Sequence, residues 1–331
     1  WDGQTQCALA KKGAATVKMT LGSTALWVDG QVKTMDVSPA VVNGRTLAPA
    51  KYVAESFGYK VIWDEATKSV WITENTDTVL TVHFLDVGQA DAALVESDGT
   101  YLLIDGGNMA DSDLIYAYLS KLGVTDLDYV VGTHAHEDHM GGLSGALTKA
   151  KVGKIYAPSA GSDAAFYTNF KNLAAKQGLS LQVPEKNESF ALGNARVTLM
   201  TPAQKDPDNL NNTSILVKVV CGSTSFLFTG DAEREEEQDI LSQNLDLDAT
   251  VLKAGHHGSD TSSSYVFLRE VMPEYVVISV GKNNSYGHPG EDALSRFRDA
   301  GAKVYRTDMQ GDITFESDGT ALTVATSKNE N

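Results

Sequence analysis

Cysteine is almost missing from this chain. Its 331 residues include two, Cys7 and Cys221, far apart in regions that read as separate domains, a spacing that disfavours a structural disulfide. Neither stands in a Cys-x-x-Cys pair, which excludes a thiolate zinc knuckle. No run approaches the ~20 consecutive apolar residues of a membrane-spanning helix. Neither internal repeats nor low-complexity segments occur. Basic residues are outnumbered, with 27 Lys and Arg against 43 Asp and Glu and a net charge of −16. Nucleic-acid backbones select basic surfaces, so this balance argues against tight, sequence-independent nucleic-acid binding. It leaves room for a site that engages one phosphate at a time. The hydrophobic fraction of 42% is that of a globular protein with a sizeable core. The chain begins at Trp1 rather than Met, as a processed or trimmed form would, so the lack of an export signal says nothing about location.

Histidine is scarce too, and its placing is the strongest functional signal. Three of the seven histidines fall in Thr133-His134-Ala135-His136-Glu137-Asp138-His139; His256 and His257 are adjacent in Gly-His-His-Gly-Ser; His288 lies in Tyr-Gly-His-Pro. Only His83 stands apart, and its alternation with strand neighbours marks it as a packed or surface residue. Leu127 to Gly132 reads as a buried strand running into the first cluster, and parallel sheets place ligands at such strand ends. His134 and His136 are two apart, so extended backbone points them the same way. Asp138 and His139 then fall in the turn before a helix expected near Met140, with Gly141 and Gly142 expected to leave the approach uncrowded. One strand end can thereby feed two neighbouring metal ions through imidazole and carboxylate donors.

The chain divides at a polar stretch, Thr73 to Thr78. We expect an N-terminal tail over 1–16, a small α+β domain over 17–73 and a large domain over 79–328. In the small domain, Val17 to Trp27 alternates like a strand, Asp29-Gly30 and Asn43-Gly44 are turn signals, and Pro49 opens a short helix ended by Gly58. A hairpin closes around Asp64 to Lys68. In the large domain, strands are expected at 80–87, 92–96, 101–104, 127–132, 196–200, 215–220, 225–228, 250–252, 275–280, 304–306, 312–316 and 321–325. Helices are expected after Asp111 or Ser112, near Met140, and over 164–176, 232–241, 264–271 and 291–300.

Residues 17–73 resemble the copper amine oxidase N-terminal-like domain, on Val28-Asp29-Gly30, Asn43-Gly44-Arg45-Thr46-Leu47-Ala48-Pro49, Phe57-Gly58 and Val61-Ile62-Trp63-Asp64. The segment holds no histidine or cysteine and so no visible copper site. The resemblance implies an extracellular or cell-wall-associated bacterial protein. From Thr81 to Val324 the chain resembles the metallo-β-lactamase superfamily. The motifs are His-x-His-x-Asp-His, Leu102-Leu103-Ile104-Asp105-Gly106-Gly107, Phe228-Thr229-Gly230-Asp231 and Gly255-His256-His257-Gly258-Ser259. Within it, Phe84-Leu85-Asp86-Val87-Gly88-Gln89, Asn211-Asn212-Thr213-Ser214, Tyr286-Gly287-His288-Pro289 and Tyr305-Arg306-Thr307-Asp308 resemble the ComEC-type competence proteins and the phosphorylcholine esterases.

The resemblance implies an α/β fold, the αββα sandwich, preceded here by the small α+β domain. It also implies a dinuclear hydrolase. One position would use His134, His136 and Asp231 with help from the Asn211 region; the other would use Asp138, His139, Asp231 and His257. The cofactors implied are two divalent ions, Zn²⁺ first and Mn²⁺ second, ionising a shared water to attack a phosphodiester of nucleic acid or of a phosphorylated cell-surface molecule. An acyl hydrolase (lactonase, thioesterase or β-lactamase type) and a non-catalytic metal-binding protein are the alternatives. Asp138, His256 and His288 are the further catalytic candidates. The family's usual His-x-Ser pattern favours His257 over His256 as ligand, leaving His256 to contact substrate or to support the ligands from behind. His288 is either a general acid or the anchor of a turn. Asp86 and Asp105 are expected to orient metal ligands, with Asn211, Asn212, Ser259 and Lys253 nearby. Lys253, Lys282 and Arg306 are candidate phosphate holders. Glu233, Glu235, Glu236 and Glu237 open a helix and read as a solvated face. The chain departs from the family pattern in two places. No histidine falls between His139 and His256, which leaves one metal position more open, and Ala90 replaces a glycine, where its methyl would narrow the approach or shift the backbone.

Overall fold

The computed structural model describes residues 2–13, 15–64, 68–74, 79–203 and 208–328, and the fold separates into two units, Trp1–Asp77 and Thr78–Asn331. Residues 75–78 of the expected junction and 65–67 of the expected hairpin loop lie outside the described residues. Among the described residues no helix is long and apolar enough to cross a membrane.

The small unit begins earlier than expected. Cys7–Lys12 is a strand, paired antiparallel with Ala15–Thr20, so residues 1–16 are not a tail. The alternating run 17–27 is not one strand either: Ala15–Thr20 turns at Leu21-Gly22 and returns as Ala25–Val28. The turn shifts the inward positions from odd to even: Val17, Met19 and Leu26 pack into the small core with Met35, while Trp27 is exposed. Asp29 and Gly30 both have positive φ (49° and 85°), the geometry of a two-residue hairpin turn, leading into Gln31–Thr34. Tyr52, Val53 and Phe57, from and just beyond the helix Ala50–Ser56, pack on that core.

The large unit is built of two facing sheets. The first runs Leu181–Gln182, Lys151–Tyr156, Asp126–Val131, Thr100–Ile104, Ala93–Ser97, Leu80–Phe84, Ile313–Ser317, Leu322–Thr326, with its first three junctions parallel and the rest antiparallel. The second runs Ser189–Leu192, Ala195–Met200, Leu216–Cys221, Thr224–Phe228, Val251–Lys253, Tyr275–Ile278, Lys303–Arg306, antiparallel for three junctions and parallel thereafter. Strand alternation assigns side chains to layers. Leu80, Val82 and Phe84 of one sheet meet Val217, Val219, Phe226 and Phe228 of the other in the central core, where the Phe84 and Phe228 rings stack at 5.5 Å. The intervening Leu103 and Leu227 face outward onto helices. Ser112–Lys121, Leu143–Lys149 and Ala165–Lys176 cover the first sheet through Ile115, Leu143 and Phe170. Arg234–Ser242, Tyr265–Val271 and Glu291–Asp299 cover the second through Ile240, Phe267 and Phe297. The result is the expected αββα layering.

Lys151–Tyr156, Leu181–Gln182 and Ser189–Leu192 were not among the expected strands. In Lys-Val-Gly-Lys-Ile-Tyr a glycine and two lysines interrupt the apolar rhythm. Gly153 is required because a Cβ there would lie 2.7 Å from the Asp128 carbonyl of the neighbouring strand. The helix expected near Met140 begins at Glu137, runs four residues and restarts at Leu143. Gly141 and Gly142 lie against the Gly106–Met109 backbone: a Cβ on Gly141 would meet the Met109 nitrogen, and one on Gly142 the Gly106 carbonyl oxygen. These glycines let two loops touch and do not open the approach. The Ala90 side chain is fully buried in the helix-covered core, so its methyl does not narrow the cleft.

Candidate metal centre

Parallel strands in both sheets direct their C-terminal ends to one edge, and four of the functional loops leave from there. Asp105 follows Thr100–Ile104, His134 to His139 follow Asp126–Val131, Asp231 follows Thr224–Phe228, and His256-His257 follow Val251–Lys253. Gly230 precedes Asp231 at φ 52°, wedged so that a Cβ would lie 2.9 Å from both Ser214 Oγ and Thr133 Oγ1. Only glycine fits there, and it turns Asp231 into the gap between the sheets.

Two donor sets meet at Asp231. One ligand atom from each of Asp138, His139, Asp231 and His257 lies within 4.8 Å of the others, and the same holds for His134, His136 and Asp231. His134 Nε2 is 3.0 Å from His136 Nδ1 and 3.7 Å from Asp231 Oδ2. His139 Nε2 is 3.2 Å from Asp231 Oδ1, and His257 Nε2 is 3.3 Å from Asp138 Oδ2. His139 Nε2 and Asp231 Oδ1 are both buried without a hydrogen bond of acceptable geometry. Buried polar atoms are ordinarily satisfied, so two orphans facing each other across imidazoles and carboxylates fit a divalent cation. The donor chemistry suits zinc or manganese.

Behind His139 and His257 stand partners that fix which nitrogen faces the cluster. His139 Nδ1–H donates to Asp105 Oδ2 at 2.9 Å, and Asp105 also accepts from the Thr133 amide and hydroxyl at 2.8 Å each. His257 Nδ1–H donates to the Ser279 carbonyl at 3.0 Å, with Asp91 Oδ1 at 3.2 Å. Burial pushes the His134 imidazole well below the ordinary histidine range, and the neighbouring His139 adds to this, so it stays neutral as a ligand must. Burial alone would raise the Asp231 carboxyl, but His139 and His257 outweigh it and hold it well below the usual carboxylate range. We expect Asp105→Asn, which weakens the hold on His139, to lower zinc affinity by about 10- to 100-fold, measured by competition with a chromogenic chelator. An unchanged affinity would remove Asp105 from this role.

His256 lies beside this set and not in it. Both adjacent histidines adopt positive φ (51° and 53°), sending His257 into the buried cluster and His256 to the wall of an open cleft of about 300 Å³. His256 Nδ1 is 3.2 Å from Glu233 Oε1, which is also held by Thr261 Oγ1 at 3.0 Å. The glutamates are therefore not one solvated face. Glu233 braces His256, Glu236 and Glu237 are buried, and Glu237 accepts the amides of Ser263 and Ser264. The His288 side chain lines the same cleft with its Nδ1 buried and unpartnered. Its backbone is bonded on both sides to Asn284, so it anchors a turn and faces the site at once. The Asn211 amide oxygen is buried without a partner and Asn211 lines the cleft, in the stretch where the family's additional histidine was expected.

Five expected site residues serve elsewhere. Asp86 orients no ligand: its carboxylate is bound to Lys328 at 2.7 Å. Lys253 is buried and pairs with Asp91 Oδ2 at 2.7 Å, so it cannot reach a substrate phosphate. Asn212 Oδ1 accepts the Glu233 amide at 3.1 Å, and Ser259 closes its own loop through the His256 carbonyl and Thr261. Arg306 is committed to Asp308 through two bonds, and Lys282 is exposed. His83 is packed, its Nδ1 3.2 Å from both the Thr314 and Tyr118 hydroxyls. Cys7 and Cys221 are free and buried. Sequence reasoning missed Asp91. A single acid before an apolar strand carries no spacing signal, and its burial is explained by partners distant in sequence, Lys253 at 2.7 Å and His257 at 3.2 Å.

The Metallo-beta-lactamase superfamily model matches residues 85–282, the span that carries every strand end described above. The chain belongs to that superfamily. The Copper amine oxidase N-terminal domain model matches residues 1–72, which includes the strand at Cys7–Lys12. ComE operon protein 3 of Bacillus subtilis is 28% identical over 252 residues, covering 71% of this chain and 32% of the relative. Competence protein ComA of Neisseria gonorrhoeae is 34% identical over 232 residues, covering 70% and 31%. The chain thus spans about a third of the length of these relatives. Among solved structures, the metallo-beta-lactamase fold protein YhfI of Bacillus subtilis is similar at 13% identity and a TM-score of 0.48, covering 74% of this chain and all of that one.

Proposed function

We propose that this chain is a phosphodiesterase with two divalent ions held by His134, His136 and Asp231 on one side and by Asp138, His139, Asp231 and His257 on the other. The observation that carries this reading is the single carboxylate common to both donor sets at the floor of an open cleft. An ion pair held this way supplies an acidified water as nucleophile and charge stabilisation for the oxygens of an in-line displacement. The residues do the rest. Asn211 offers its unpartnered amide oxygen to the first donor set in place of an imidazole. His256, braced by Glu233, positions the substrate at the cleft wall, and the His288 imidazole beside it serves the leaving oxygen. The resemblance to the ComEC-type and phosphorylcholine-esterase branch supports a phosphodiester of nucleic acid or of a phosphorylated cell-surface molecule; the N-terminal match supports an extracellular or wall-associated address, which cell fractionation tests.

The decisive experiment sets bis-p-nitrophenyl phosphate beside a lactone, a thioester and a β-lactam, with Zn²⁺ or Mn²⁺ added to chelator-stripped protein. We expect nitrophenol release only from the phosphodiester and only with metal. Turnover of the acyl substrates alone would assign the site to acyl hydrolysis. Two bound equivalents with no turnover would assign it to metal binding.

A further inference from the structure

The cleft has an unusual lining for a site that handles phosphate. Among the described residues, no lysine or arginine lines it, and the nearby cations Lys253 and Arg306 are paired to carboxylates. Glu137 stands at its edge with Asp138. Of the three candidate cations Lys282 is exposed, and it does not line the cleft either, so a substrate whose phosphate meets the metal centre gains little from the lining side chains through positive charge. What the mouth offers instead is Tyr286. Its side chain is 72% exposed, the most exposed large hydrophobic among the described residues, and it lines this cleft. Single exposed apolar residues are normal, but this one is held in place. Its ring stacks on His288 at 5.8 Å and 25°, and the His288 ring lies 5.3 Å from His256. Asn284 locks the loop with four hydrogen bonds: its Oδ1 accepts the amides of Tyr286 and His288, and its Nδ2 donates to the Gly281 and His288 carbonyls. Gln89 ties the loop base by accepting the Gly281 amide at 3.1 Å. An aromatic fixed beside a reaction centre, with most of its surface open, is a preformed stacking platform.

We propose that Tyr286 determines specificity by stacking on a nucleobase carried next to the scissile phosphodiester. It supplies the affinity that basic side chains supply in proteins that track a phosphate backbone. This rests on the phosphodiesterase reading for its biological meaning, and the test separates the two. The zinc-loaded full chain is given the p-nitrophenyl ester of thymidine 5′-monophosphate and the same ester of deoxyribose 5-phosphate. The two share charge and leaving group and differ only in the base. We expect the base to lower KM by about 5- to 100-fold, the scale of one base–aromatic stack. Tyr286→Phe should keep most of that ratio and Tyr286→Ala should bring it near one. Calorimetric binding of thymidine 5′-monophosphate against deoxyribose 5-phosphate repeats the comparison without turnover. If both esters are cleaved and the ratio is the same in wild type and Y286A, the stacking role is overturned and the phosphodiesterase reading stands. If neither is cleaved while binding still depends on the base and on Tyr286, the subsite stands and the reaction assignment falls. Equal binding of both ligands by wild type overturns the subsite outright.

Discussion

Asp231→Ala is expected to strip metal from both positions at once, taking bound zinc from about two equivalents to below one and phosphodiester hydrolysis down by on the order of 10³-fold or more. The reason is positional. Asp231 is buried, with Oδ2 3.7 Å from His134 Nε2 and 3.8 Å from His257 Nε2, while Oδ1 is 3.2 Å from His139 Nε2. No other carboxylate belongs to both donor sets. His136→Ala is the control, because His136 belongs to one set only; it should leave about one equivalent bound while activity falls. Elemental analysis after exhaustive dialysis reads the stoichiometry, and a melting curve on metal-free protein confirms that each variant folds. Two equivalents retained by Asp231→Ala would rule out the shared carboxylate, and with it the two-ion mechanism.

The donor sets were legible in the sequence because metal ligation draws on few residue types and the strand ends bring them in order. His134, His136, Asp138 and His139 share one loop, so chain-local geometry already placed them. Asp231 and His257 needed only the expectation that parallel strands point their C-terminal ends to one edge. The sequence favours His257 over His256 without deciding between them: both Nε2 atoms lie 3.8 Å from Asp231 Oδ2, and His257 alone also reaches Asp138, at 3.3 Å. That difference follows from two successive positive φ values, which no pattern of residue types encodes. Glu233 was misread for a related reason. An acidic run at a helix start looks the same whether solvent or an imidazole faces it, and only the loop from Val251–Lys253, arriving from a distant part of the chain, decides. The small unit shows the same limit. Apolar–polar alternation assigned the inward face of Val17 and Met19, but the strand turns back within the run and the inward positions shift from odd to even, burying Leu26 and exposing Trp27.

The largest stability effect should come from Lys253, the residue whose expected role the fold reverses. Its ammonium is 2.7 Å from Asp91 Oδ2, with both side chains buried. Burial alone would raise the Asp91 carboxyl, and Lys253 followed by His257 outweighs it and keeps it below the usual carboxylate range. Breaking such a pair from one side leaves a charge with no solvent and no full partner. We therefore expect Lys253→Met to cost about 3–5 kcal/mol, read by denaturant unfolding in excess chelator so that lost metal does not contribute through linkage. The companion change Asp91→Leu, made together with Lys253→Met, removes both charges and should recover most of that loss. The double variant should nonetheless bind zinc about 10- to 100-fold more weakly, since His257 Nδ1 loses the carboxylate 3.2 Å away. A residue that held substrate phosphate would behave in the opposite way, with KM raised and the unfolding midpoint unmoved. The sign of the double-variant recovery thus separates a buried strut beneath the centre from a cation that touches substrate.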